Sequence, residues 1–169
     1  MDAQSSDIRW KQRFDNLQRA YRRLRWALEI HQQDPSDELI RMAVIKAYEF
    51  TFELSWKTLK DFLAYNGIDA KLPREVLKQA FTTGLVSDGQ LWIDMLEERN
   101  LMAHTYDDTR ARIAVDQIQE RYLGGLQQLH NMLTTKLQEA PRVRQPPALP
   151  LPPPTTASPG APWPRSAPA

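Results

Sequence analysis

Between Glu97 and Asp107 the chain brings an arginine, an asparagine, a histidine and a tyrosine together as Arg99, Asn100, His104 and Tyr106. A planar guanidinium meets two phosphate oxygens at once, and an imidazole exchanges a proton near neutral pH because its ordinary pKa is about 6.5. Together those groups suit cleavage of a phosphodiester. Each also has a structural explanation when taken singly. An isolated histidine is commonly a packing residue, an arginine beside Glu97 and Glu98 is commonly ion-paired, and a tyrosine at a helix end commonly packs. On a continuous α-helix of 3.6 residues per turn, Arg99 and His104 diverge by about 140°, whereas Arg99 and Tyr106 nearly align. One straight helix therefore does not assemble the set. Two routes do: a helix that frays at Thr105 to Asp108, or a symmetric pairing that sets two copies of the segment face to face. A histidine in the last helical turn also has its charged form favoured by the helix dipole, which suits a general acid.

The elements that must position these residues are helical. Trp10, Phe14, Leu17, Tyr21, Leu24 and Leu28 recur at alternating steps of four and three, the stripe of an amphipathic helix from Asp7 to His31. Asp34 and Pro35 read as the N-cap and first turn of a second long helix carrying Ile40, Ala43, Val44, Ala47, Phe50 and Leu54 and ending at Asn66-Gly67. Pro73 opens a short third helix with Val76, Leu77, Ala80 and Phe81 on its apolar side, and Gly84 closes it. Ser87 with Gln90 fits a capping box ahead of a fourth helix through Leu91, Trp92, Met95 and Leu96. Asp108 or Thr109 caps a fifth, with Ile113, Ile118, Tyr122, Leu126, Leu129 and Leu133 facing inward. The expected fold is all-α: an antiparallel bundle of four main helices plus a short one. Gly124-Gly125 conflicts locally with a helix, since each interior glycine costs about 1 kcal/mol relative to alanine. Close approach by a neighbouring helix, from this chain or a second subunit, is one explanation; a tolerated weakness is the other.

Eleven of the thirteen prolines lie at 141 or beyond, a density no helix or sheet survives. The expected organisation is a helical domain over residues 1–140 and a disordered Pro-rich tail over 141–169. No apolar run reaches the roughly 18 to 20 residues of a membrane span, and the start lacks a signal peptide's apolar core, so a soluble, cytoplasmic protein is expected. Zero cysteines exclude disulfides and thiolate chemistry, and with only His31, His104 and His130 as nitrogen ligands no metal site is expected. The net charge of +1 is unevenly spread: Arg9, Lys11, Arg13, Arg19, Arg22, Arg23 and Arg25 crowd the first helix against Asp7 and Asp15. Such an arm either attracts phosphate or an acidic partner, or is a solvated helix face.

Arg99, four residues, His104, Thr105 and Tyr106 form the RX4HXY pattern of the HEPN family, with Asn100 directly after the arginine as that family commonly shows. The likeness widens to Phe52–Leu63, to Pro73–Phe81 and to the lead from Trp92 into Arg99, and spans about residues 8–137. Over that length the chain resembles the HepT-like toxins, also grouped as nucleotidyltransferase substrate-binding proteins. The resemblance implies a helical homodimer whose two motifs line one cleft, and an endoribonuclease needing neither metal nor other cofactor. It makes Arg99 the phosphate-binding group and His104 the proton-transfer residue. It makes Tyr106 the acceptor of adenylyl groups from a cognate minimal nucleotidyltransferase antitoxin, which neutralises the toxin. RNA supplies its own nucleophile in the 2'-OH, so such a protein need only move protons and stabilise charge. Glu53 and Lys57 are an i,i+4 pair in the matching helix and are expected, with Asn100, to support the site. Ala103 departs from the small hydroxyl residue that relatives often carry there. The competing reading is a noncatalytic substrate- or nucleotide-binding subunit of a two-component nucleotidyltransferase.

Overall fold

The computed structural model describes residues 3–103 and 107–139; the Pro-rich segment expected to be a tail lies outside them. Helix α1 (Ala3–Gln33) presents the expected stripe, and Trp10, Phe14, Leu17, Tyr21, Leu24 and Leu28 are all buried. Fully burying a large apolar side chain contributes about 1.5–3 kcal/mol, so this stripe alone fixes which face of α1 turns inward. Helix α2 (Glu38–Tyr65) packs antiparallel along α1, with Trp10 edge-on to Phe62 at 5.0 Å between ring centroids and Arg13 bridged to Asp61 at 2.6 Å. The short α3 (Pro73–Thr82) follows. Helix α4 (Gly89–Met102) lies against α2, and a final rod runs from α5 (Asp108–Gln117) through a π-helical turn (Ile118–Tyr122) into α6 (Leu123–Glu139). This rod runs antiparallel to α4, where Arg121 meets Asp94 at 2.9 Å. The all-α bundle of four long rods and one short helix is as the residue pattern predicts. No helix among the described residues is long and apolar enough to cross a membrane.

Three helix starts differ from expectation, each because a neighbouring carboxylate reaches the orphan N–H groups of the first turn better. Asp34 spends its carboxylate on Ser36 (2.6 Å to Oγ), so α2 starts later, with Asp37 accepting from the backbone N–H groups of Leu39 and Ile40 at 2.8 and 3.2 Å. At α4 the cap is Asp88, accepting from Leu91 N–H at 2.9 Å; Gln90 instead donates to Asp94. At α5 it is Asp107, accepting from Thr109 N–H at 3.2 Å. Gly67 and Gly84 both adopt positive φ (81° and 75°), the left-handed turn that stops α2 and α3 at little steric cost. Ala43 is exposed rather than buried, and three large apolar side chains expected inside are outside as well: Phe50, Phe81 and Ile113 are 59%, 52% and 45% exposed. Phe81 lies over the backbone of Gly89 at the α3–α4 junction, and Ala114 and Val115 replace Ile113 on the buried side of α5.

At the centre, Tyr48 of α2 stacks on Tyr122 at 5.7 Å and donates its hydroxyl to the Met95 carbonyl at 2.9 Å, joining α2, α4 and the last rod. Burial pushes the Tyr48 pKa well above its ordinary value, with Tyr122 and Glu98 adding to the shift, so the hydroxyl remains a donor. The π turn adds a residue to one turn of the rod immediately before Gly124-Gly125. The two glycines then play different parts. A Cβ on Gly125 would sit 2.9 Å from Leu91 Cδ2 of α4, whereas one on Gly124 would meet nothing within 4 Å. The close approach is therefore within this chain. Gly124→Ala is expected to stabilise the fold by about 0.5–1 kcal/mol, the ordinary helix-propensity gain. Gly125→Val should lower stability by about 1–3 kcal/mol through overpacking against Leu91. Urea unfolding of the two variants checks both signs.

Candidate functional site

Glu53 stands on α2 where it faces the end of α4, and its two oxygens are shared among three donors. Lys57 Nζ lies 2.8 Å from Oε1, Trp56 Nε1 donates to Oε2 at 3.0 Å, and Arg99 Nη2 reaches the same Oε2 at 3.4 Å. The i,i+4 spacing and the helical rise place Lys57 one turn beyond Glu53, and Trp56 at i+3 closes the group from the side. Arg99 also donates from Nη1 to Oδ1 of its neighbour Asn100 at 3.1 Å. All four expected support and phosphate-binding residues in the described chain thus meet: Glu53, Lys57, Arg99 and Asn100. His104 and Tyr106, the expected proton-transfer and adenylyl-acceptor residues, lie outside the described residues.

The cluster carries two cations against one carboxylate and opens to solvent, with Lys57 and Arg99 each 38% exposed and Glu53 30%. Partial burial pushes the Glu53 carboxyl up, but hydrogen bonds from Lys57 and Trp56 and the charges of Lys57 and Arg99 outweigh it, holding the pKa below the usual carboxylate value. Glu53 is accordingly ionised at neutral pH. Charge-assisted N–H···O contacts are strongest near 2.7–2.9 Å, so Lys57 is held firmly and Arg99 loosely. An incoming anion can take the guanidinium without first dismantling a tight pair. Arg99 sits in the last turn of α4, where the negative end of the helix dipole favours a cation.

Helix α4 ends at Met102 with Ala103 as its cap, earlier than the fray expected at Thr105 to Asp108. The Ala103 N–H reaches the Arg99 carbonyl at a long 3.4 Å, and the next helix begins at Asp108. A second ion pair holds the far side of this break: Arg41 of α2, only 3% exposed, pairs with Asp108 Oδ1 at 2.9 Å, and Arg112 takes Oδ2 at 2.8 Å. Residue patterns miss Arg41 because it stands in the first turn of α2 and nothing local points it at a residue 67 positions away. The end of α4 at Arg99 and the start of α5 at Asp108 are thus both tied to α2. A small cleft of about 40 Å³ lined by Ile45, Met102 and Ala111 lies between α2, α4 and α5, too small for a substrate. Among the described residues no three His, Asp or Glu side chains converge as metal ligands.

Residues 12–135 match the family described as nucleotidyltransferase substrate binding protein like. The Haemophilus influenzae protein named probable ribonuclease HepT is 34% identical over 89 residues, 50% of this chain and 60% of that protein, so the chain spans less than two thirds of that relative's length. A solved Haemophilus influenzae structure, described as revealing the fold of a substrate binding domain of a nucleotidyltransferase, is 25% identical with a TM-score of 0.62, covering 72% of this chain and 98% of its own. A tri-AMPylated Shewanella oneidensis HEPN toxin, solved in complex with an MNT antitoxin, has the same TM-score of 0.62 at 15% identity, covering 75% of this chain and 96% of its own, a likeness of fold alone. The match over most of the bundle, and over the helices that build the Glu53–Arg99 cluster, places the chain in the nucleotidyltransferase substrate binding protein-like family.

Proposed function

We propose that this chain is the toxin half of a toxin and antitoxin pair, a metal-independent endoribonuclease of the cytoplasm that acts as a homodimer. The observation that carries the reading is the Glu53–Lys57–Arg99 cluster at the end of α4: a loosely held guanidinium with a firmly held ammonium beside it, directly upstream of His104 and Tyr106. The name of the Haemophilus influenzae relative supports the ribonuclease activity. In the proposed step the RNA 2'-oxygen forms a bond to phosphorus as His104 takes its proton. The P–O5' bond breaks, and the leaving 5'-oxygen regains a proton. Arg99 meets the non-bridging oxygens, where negative charge builds up, and such stabilisation is commonly the largest catalytic contribution. Asn100 and Glu53 orient the guanidinium, and Lys57 adds positive charge at the mouth.

In the same reading the Tyr106 phenol attacks the α-phosphorus of ATP on a cognate nucleotidyltransferase antitoxin, releasing pyrophosphate and leaving AMP on the ring. The adduct adds bulk and negative charge next to Arg99, and so blocks an RNA phosphate. The second reading, a noncatalytic substrate-binding subunit of a nucleotidyltransferase, draws on the description of the structure that is 25% identical. The two differ in whether RNA is cut.

With EDTA present, the purified protein is expected to cleave RNA, and His104→Ala to lose about 10²–10⁴-fold in rate, the ordinary worth of a positioned acid–base group. Unchanged cleavage by that variant sinks the ribonuclease reading, and nucleotide binding without any cleavage supports the subunit. Intact mass after coexpression with the antitoxin should show AMP adducts that disappear in Tyr106→Phe. Glu53→Gln is expected to lower kcat about tenfold with little change in KM, read by steady-state kinetics. Glu53 stays ionised above its lowered pKa, so this effect should be constant from about pH 5 upward, and the anchor should weaken only as pH falls through and below the ordinary carboxylate value of about 4.3.

A further inference from the structure

The basic first helix is not uniformly neutralised by its surroundings. Lys11, Arg13 and Arg19 are paired with Asp7, Asp61 and Asp15 at 2.6, 2.6 and 2.7 Å. Among the described residues, Arg9, Arg22, Arg23 and Arg25 have no carboxylate within ion-pair distance, and all four are exposed. Arg19 and Arg23 form one wall of an open groove of about 660 Å³ between α1 and α2, and Ala43, Lys46, Ala47, Phe50 and Leu54 form the other. A second open depression, lined by Arg19, Arg22, Arg23 and Trp26, shares Arg19 and Arg23 with the groove; Trp26 is 64% exposed, and Phe50 on the α2 wall of the groove is 59% exposed. Asn16 to Trp26 spans about 15 Å of helix at 1.5 Å per residue. Two solvent-facing rings thus flank a row of cations, where burial in the core would have been the ordinary fate of tryptophan and phenylalanine.

We infer that this groove is a track for single-stranded RNA, with the unpaired Arg22 and Arg23 following the phosphates, Arg19 and Lys46, paired with Asp15 and Glu49 at 2.7 and 2.9 Å, at its edges, and Trp26 and Phe50 stacking on bases. Cations that track a backbone, interleaved with aromatic faces, are the combination by which single strands are held without sequence readout. Charge selects this occupant. A second copy laid face to face on the groove would set the unpaired Arg22 and Arg23 against the same two arginines, and residues 141–169 carry Arg142, Arg144 and Arg165 with no acidic side chain. The track also leads to the cluster: Leu54 lines the groove and Glu53 is its neighbour on α2, so groove and candidate site occupy adjacent faces of one helix. The choice of RNA rests on the ribonuclease reading; the location of the track does not.

A fluorescein-labelled, 2'-O-methylated single-stranded RNA, which cannot be cleaved through its 2'-oxygen, measures binding separately from catalysis by anisotropy. The double variant Arg22→Glu/Arg23→Glu of the full chain is expected to bind at least tenfold more weakly. Its slope of log affinity against log salt should be shallower by about 1.4, at about 0.7 per phosphate contact on a single strand. Trp26→Ala and Phe50→Ala should each lose about fivefold or more, the lower end of base stacking. Lys78→Glu on α3, away from the groove, serves as the charge control and should bind normally. Circular dichroism confirms that each variant is folded. Unchanged affinity and slope in the arginine variant overturn the track. So does a loss confined to self-association in sedimentation, which marks a second copy, or one confined to capture of the nucleotidyltransferase, which marks an acidic protein partner. If the methylated RNA binds through the groove but native RNA is not cut, the track stands and the ribonuclease reading fails. Native RNA cut at full efficiency by the arginine variant has the opposite meaning.

Discussion

Helix α2 is the fixed point from which the surroundings of residues 104–106 are built, because both ion pairs that bracket that segment originate on it. Glu53 holds Arg99 at the end of α4, and Arg41 holds Asp108 at the start of α5. These anchors work only if α2 cannot rotate or slide, and its burial ensures that. Val44, Tyr48, Phe52 and Leu59 are fully buried, and the Tyr48 hydroxyl is bonded to a carbonyl of α4. A helix buried this way turns apolar packing into a positional constraint on polar groups one turn away.

The two anchors differ in kind. The Arg41–Asp108 pair has one partner almost wholly out of water, where an unpaired guanidinium is costly, so it resists opening. The Arg99–Glu53 contact is longer, more exposed, and shares its carboxylate with Lys57 and Trp56. Exposed pairs of this sort contribute little stability, which suits a group that must exchange its partner for an anion. The start of α5 is thus held firmly to α2, while the guanidinium at the end of α4 is held loosely.

The last rod shows how a local irregularity serves packing. The π turn over Ile118–Tyr122 and the glycines after it would read as weaknesses in an isolated helix. In the bundle, Tyr122 stacks on Tyr48 and the bare backbone of Gly125 admits Leu91 of α4. Helix α4 is therefore held from two sides, by α2 and by this rod.

Periodicity alone determined the number, order and approximate limits of the helices, since apolar stripes such as Trp10 to Leu28 depend only on spacing and on the gain from burial. The Glu53–Lys57 pair was legible for the same reason, being one helical turn in length. Tertiary structure decided what local spacing cannot encode. It chose among adjacent acidic residues for each cap, left Phe50, Phe81 and Ile113 outside, and ended α4 at Met102. It also joined Arg99 to Glu53 across 46 positions and Arg41 to Asp108 across 67. A stripe is a property of one helix, but which face of a crest is covered, and which charge meets which, depends on where the other helices lie.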